Sequence, residues 1–260
     1  MKNLKILIAT HKAWEMPSES IYLPVQVGSK GKENLGYQQD DEGENISELN
    51  PYFSELTALY WAWKNLDTDY LGLVHYRRYF TKPHYSKKAT IDERVMDKHI
   101  LDSLLKKDVA LVPKKRNYYI ETLKSHYDHT LDVTHLEVAR SIINELNPEY
   151  LSAFDSVMNQ RGGYMYNMFI MPKKLADQYC DWLFPILFEL FERIGFDNMT
   201  AFKKRYPGRV SELLFNVWLK KNNIQVREIP YHYEDKINWF KKGSSFLKAK
   251  FFGRKYTKSF

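Results

Sequence analysis

Between residues 66 and 80 the chain reads LDTDYLGLVHYRRYF, with two kinds of chemistry at the two ends of one short apolar run. Asp67 and Asp69 offer hard oxygen donors of the kind that hold a divalent cation. His75, Arg77 and Arg78 offer hydrogen-bond donors and positive charge, and the planar fork of arginine suits the paired oxygens of a phosphate. Tyr70 to Val74 has strand character, and at about 3.3 Å per residue such a strand leaves the carboxylates roughly 15 Å from its far end. Asp67-Thr68-Asp69 therefore reads as a turn entering the strand, where Asp is favoured for local backbone hydrogen bonds. A second polar set, Thr10, His11 and Lys12, follows another apolar run, LKILIAT.

Elements must bring these sets together. LKILIAT at 4–10 and IYLPVQVG at 21–28 read as strands, the first buried and parallel, followed by a Gly- and acid-rich loop over 29–48. NPYFSELTALYWAWKNL reads as a helix with Pro51 near its start, leading into the strand YLGLVHY. Further helices are expected over 92–106, between 118 and 160, and over 173–194 and 210–221. Further strands are expected at 109–113, 164–171 and 224–229. This alternation predicts an α/β fold, one domain over residues 1–235 with a mainly parallel central sheet flanked by helices. Ligands of such sheets bind beyond the carboxyl ends of the strands. That rule selects Thr10-His11-Lys12 and His75-Tyr76-Arg77-Arg78 as the lining of a crevice for an anion such as a pyrophosphate. The competing readings are an ordinary solvated loop at 10–12 and one arginine of the pair in a structural ion pair.

The formal charge is +7, yet residues 236–260 alone hold eight Lys and Arg and no acid, which leaves the preceding chain close to neutral. With Trp239, Phe240, Phe246, Leu247, Phe251 and Phe252 interleaved, this basic amphipathic tail suits an anionic membrane surface. Its alternative is a helix packed on the domain by its aromatics. A nearly neutral body argues against a nucleic-acid partner. No run approaches the ~20 apolar residues of a membrane span, and the opening MKNLKILIATHK does not read as a signal peptide. One cysteine, Cys180, excludes an internal disulfide, points to a reducing cytoplasm, and sits in an apolar helical pattern as a core residue. Phosphate-loop, dinucleotide, hydrolase-elbow and zinc motifs are absent; His126 and His129 in SHYDHT are three apart, a weak metal signal.

ILIATHK, VQVGS, LGYQQDDEGENISELNPYFSELTALYWAWKN, DYLGLVHYRRYF, GGYMYNMFIMPK and RVSELLFNVWLKKNN, in that order over about residues 4–230, resemble a family of bacterial capsular and exopolysaccharide glycosyltransferases long known only as a domain of unknown function. The resemblance implies a GT-A-like fold that transfers a hexose, in some members galactofuranose, from a UDP-sugar. The implied acceptor is a lipid-linked saccharide at the inner face of the bacterial membrane, where the enzyme would be peripheral. A competing reading is a non-catalytic carbohydrate-binding or assembly protein on the same fold. GT-A enzymes usually hold a divalent ion with an Asp-x-Asp at the carboxyl end of a strand, whereas here His75, Arg77 and Arg78 take that place. The expectation is that cationic groups neutralise the leaving diphosphate and no metal is required, with Mn²⁺ or Mg²⁺ on Asp40, Asp41 or Asp67/Asp69 as the alternative. Inversion needs one carboxylate to accept the acceptor's proton. Glu212, read as opening a late helix, is the first choice and Asp128 the second; the alternative for Glu212 is an acid stabilised by the helix dipole. Glu55 and Thr57 are expected at the donor, and Trp61 and Trp63 in the core. Asn167, inside an apolar strand, needs partners that backbone or a sugar hydroxyl would supply. Tyr118, Tyr119, His126 and His129 are assigned to the acceptor side.

Overall fold

A computed structural model describes residues 2–86 and 88–234. Its strands are β1 (Leu4–Thr10), β2 (Tyr22–Gln26), β3 (Gln38–Gln39), β4 (Tyr70–His75), β5 (Arg78–Phe80), β6 (Val109–Pro113), β7 (Arg116–Asn117), β8 (Gly162–Gly163), β9 (Phe169–Pro172), β10 (Gln225–Ile229) and β11 (Tyr231–Tyr233). In space they run β10-β6-β9-β4-β1-β2-β3, with β5 and β11 attached beside β4 and a separate β7–β8 ribbon. The pairs β1–β2, β1–β4, β2–β3 and β6–β10 are parallel, as expected. β9 is not: it runs antiparallel to both β4 and β6 in the middle of the sheet.

Alternation explains why these runs are apolar throughout. In β1, Leu7 and Ala9 join one core while Leu4, Ile6 and Ile8 join the other. In β9, Phe169 and Met171 face the first core and Ile170 the second, joined there by Met168 just before the strand. A strand buried on both faces must be apolar at every position. Gly72 lies between Ile6 and Ile170, where a Cβ would stand 3.1 and 3.0 Å from their Cγ1 atoms, so the central strand goes without a side chain there.

The helices are α1 (Asn50–Phe53), α2 (Leu56–Asn65), α3 (Ile91–Arg94), α4 (Lys98–Leu104), α5 (Leu123–Thr130), α6 (Thr134–Leu146), α7 (Leu151–Met158), α8 (Lys173–Ile194) and α9 (Tyr206–Lys221). Three differences from the sequence-based expectation bear on the site. The helix expected over 50–66 is broken at Ser54, whose φ of 53° turns the chain and makes Glu55 the N-cap of α2. The strand expected at 164–171 begins only at Phe169, because Tyr166 and Asn167 both take left-handed conformations, φ 78° and 52°. The last helix opens at Tyr206 with Pro207 in its first turn, so Glu212 lies beyond that turn and a terminal dipole does not account for it. Cys180 and Trp61 are buried, as expected, and Trp63 packs face to face on Phe184 at 5.6 Å. No helix among the described residues is long and apolar enough to cross a membrane. The tail assigned to 236–260 lies outside the described residues.

Candidate active site

β1 and β4 are in register with Ala9 opposite His75, so both polar sets emerge at one edge of the sheet. Beyond β1, the buried Thr10 hydroxyl donates to the Lys12 carbonyl at 2.6 Å and so closes the turn that exposes His11 and Lys12. The His11 ring meets Tyr76 edge-on at 5.4 Å, and the Lys12 ammonium stands over Trp14 at 4.7 Å. Beyond β4 the chain reverses at Tyr76–Arg77 so that Arg78 pairs back to His75 and opens β5. The Arg78 guanidinium lies between Tyr166 at 4.7 Å and Tyr233 at 4.6 Å, and its Nη2 donates to the Tyr233 hydroxyl at 3.4 Å. Its buried Nε has no hydrogen-bond partner among the described residues.

His75 was expected among the cations, and the structure corrects that. Burial, with the guanidinium groups of Arg78 and Arg77 beside it, pushes the imidazole down to about 3, so the ring is neutral at neutral pH. The Arg77 amide donates to its Nδ1 at 3.3 Å, which leaves the proton of the neutral ring on Nε2. His75 thus supplies a hydrogen-bond donor, while Lys12, Arg77, Arg78 and the unforeseen Arg205, which acts on both His11 and His75, supply charge. His11 is held below its usual range by burial and by Lys12.

A carboxylate pair adjoins this cationic strip. Glu55 Oε1 accepts from Asn167 Nδ2 at 2.9 Å. Its carboxyl is pushed above the usual range by burial and by Glu212, against the pull of Asn167. Glu212 accepts from the Tyr166 amide and from Arg209 Nη1, both at 3.0 Å. Both acids act on Arg78, and Glu212 also acts on Arg116. The left-handed pair Tyr166–Asn167 makes this possible: one residue turns its N–H to Glu212, the next its amide to Glu55. A bulky residue at positive φ is costly and accumulates where geometry serves a site.

Asn167 has protein partners at both ends, since Nδ2 also donates to the Gly208 carbonyl at 3.1 Å and Oδ1 accepts from Ser211 at 2.9 Å. Thr57, expected at the donor, is fully buried and its hydroxyl donates to the Ser54 carbonyl at 3.2 Å, so it has no exposed surface to offer a ligand. His126 and His129 both contact the buried Glu121, and His126 stacks on Tyr118 at 3.9 Å, with Arg116 over the other ring at 5.1 Å. Asp128 accepts from the Val133 amide at 3.3 Å, at the turn into α6. Arg116 was missed, although the strand-end rule applied to VALVP leads to it three residues on. Arg205 and Arg209 flank the opening of α9, which the expected start at 210 left out.

The carboxylates considered for a divalent ion lie in two separate places. Asp69 accepts from the Asn3 amide at 2.8 Å, at the far, amino end of β4. Asp40 accepts from the Gly28 and Ser29 amides, and from Ser29 and Ser47 hydroxyls, while Asp41 takes the Ser29 hydroxyl at 2.7 Å. Their oxygens serve the loop after β2. Among the described residues no three Asp, Glu, His or Cys side chains are placed to hold a metal ion by themselves.

No curated protein matches the chain significantly. A solved structure of WbbM, described as a bifunctional glycosyltransferase in its apo form, is 30% identical with a TM-score of 0.80. The match covers 90% of this chain but only 46% of WbbM, so the chain spans less than half of that protein. The sheet and its flanking helices are GT-A-like. A model of the family described as a domain of unknown function, DUF4422, matches residues 5–223, and the chain belongs to that family.

Proposed function

We propose that the chain is a glycosyltransferase that moves a hexose from a UDP-sugar to a lipid-linked saccharide acceptor of a bacterial surface polysaccharide, with inversion. Galactose and galactofuranose are the first donors to test. The observation that carries this reading is the joining, at one sheet edge, of Lys12, Arg77, Arg78 and Arg205, around His11 and His75, to the pair Glu55–Glu212 through Arg78. An acceptor hydroxyl oxygen bonds to the anomeric carbon as the bond from that carbon to the diphosphate breaks. The proton passes to Glu212, and the cations, with His75 as a neutral donor, stabilise the charge that develops on the leaving diphosphate. Similarity to WbbM supports the reading at the level of the reaction class. The cationic strip supports a diphosphate held without a divalent ion.

A thermal-shift screen of UDP-, GDP- and CMP-sugars, followed by UDP release with lipid-linked acceptor, tests it. UDP-sugars are expected to raise the midpoint, and turnover is expected to survive exhaustive chelation. Complete loss restored by Mn²⁺ would overturn the metal-free mechanism. Glu212→Gln is expected to keep the donor shift and lose about 10²–10⁴-fold in turnover, the range of general-base catalysis. Near-normal turnover in that variant moves the role to Glu55.

A further inference from the structure

A groove of about 530 Å³ opens beside the crevice, lined by Lys115, Asn117, Tyr119, Gln160, Arg161 and Gly162. Tyr119 in that wall is exposed, at 78% of full accessibility. That ring is not loosely placed. Tyr119 has φ 56°, and the Ile120 amide donates to the Tyr118 carbonyl at 2.6 Å, forming the strained kind of three-residue turn around it. Arg161 fixes both sides of the turn: its Nη1 donates to the Tyr119 carbonyl at 3.2 Å, and its carbonyl accepts from the Tyr118 amide at 2.8 Å. A strained backbone that holds a large ring in solvent gains nothing from burial, and such strain gathers at ligand clamps.

Gly162 leaves the floor open. A Cβ there would come within 2.6 Å of Asn117 Oδ1 and 2.7 Å of the Arg116 carbonyl. Around an aromatic wall stand two amides, Asn117 and Gln160, and two cationic donors, Lys115 and Arg161. A sugar ring has matching faces: C–H groups that lie on an aromatic ring and hydroxyls that pair with amides and donors. The groove is close to the reaction site: Arg116 and Tyr118, the chain neighbours of Asn117 and Tyr119 in the groove wall, feel the charge of Glu212.

We infer that this groove binds the sugar rings of the acceptor glycan that precede the reacting one, with Tyr119 as the stacking platform. The inference rests on the glycosyltransferase reading and adds where the glycan lies. The probe is the source organism's own surface polysaccharide, cleaved and separated by length, with binding measured by calorimetry in the absence of donor. Affinity is expected to rise about tenfold or more from single sugars to longer fragments, a gain of about 1.4 kcal/mol. Tyr119→Ala is expected to abolish that gain and Tyr119→Phe to keep it, both with unchanged melting and an unchanged UDP-sugar shift. Affinity independent of length, or a Tyr119→Ala protein that binds like the wild type, overturns the groove assignment. Loss of the UDP-sugar shift in the wild type is a separate result and overturns the donor reading instead.

Discussion

His75 lies against two guanidinium groups and stays neutral down to about pH 3, whereas in the unfolded chain it takes up a proton near 6.5. Between those values the unfolded state binds more protons, so stability falls as pH drops through this window, by at most about 1.4 kcal/mol per pH unit. His11 and His126, held low by burial, act with the same sign. Glu55 acts oppositely: its raised carboxyl contributes stability that is complete below about pH 4.5, its unfolded value, and is lost as pH rises through the folded one. His75→Asn keeps an acceptor for the Arg77 amide and removes the titration. Its melting midpoint is expected to fall less than that of the wild type between pH 7 and pH 5.5, as read by scanning calorimetry. Equal slopes would mean that the ring is solvated and charged in the fold.

At the scale of elements, the loop after β2 is shaped by one acid. Asp40 is fully buried and collects two backbone amides and two hydroxyls, from Gly28, Ser29 and Ser47. Gly28 has φ 59°, and a Cβ there would stand 2.7 Å from the Asn50 side chain, so the turn admits no other residue without a shift. Asp40→Ala strands the Gly28 and Ser29 amides and the Ser47 hydroxyl, the Ser29 hydroxyl keeping Asp41, and is expected to lower unfolding free energy by about 3 kcal/mol or more in urea titrations, with Asp40→Asn costing less. A loss below about 1 kcal/mol would show that water replaces the carboxylate. Elements were legible where a local pattern settles them. LKILIAT, YLGLVHY and VALVP are doubly buried strands, and Asp67-Thr68-Asp69 is a turn stapled to Asn3. Others were not. YMYNMFIM has strand composition, yet its first half is bent by Tyr166 and Asn167, whose conformations are held by Glu212, Glu55 and Ser211 from distant parts of the chain. For the same reason the strand-end rule found His11, Lys12, Arg77 and Arg78, while the coupling of Glu55 to Glu212 exists only once the chain has folded.

Across the whole molecule, charge is divided unevenly: the positive excess belongs to residues 236–260 and the rest is nearly neutral. Removing 236–260 is expected to leave the melting midpoint unchanged and to abolish co-sedimentation with phosphatidylglycerol vesicles at low salt. A lowered midpoint would assign the segment to the domain's own packing instead. The position of β9 carries a consequence for how the protein is made. Synthesis delivers β4 and β6 well before Phe169–Pro172, the strand that joins them. Until then the nascent chain holds one part-sheet, β4-β1-β2-β3, whose unfilled edge lies at the future centre, and β6, whose partners β9 and β10 both come later. Open strand edges with apolar flanks pair with whatever is near. The stretch of translation from Pro113 to Pro172 is therefore where the nascent chain is expected to be most prone to mispairing and aggregation.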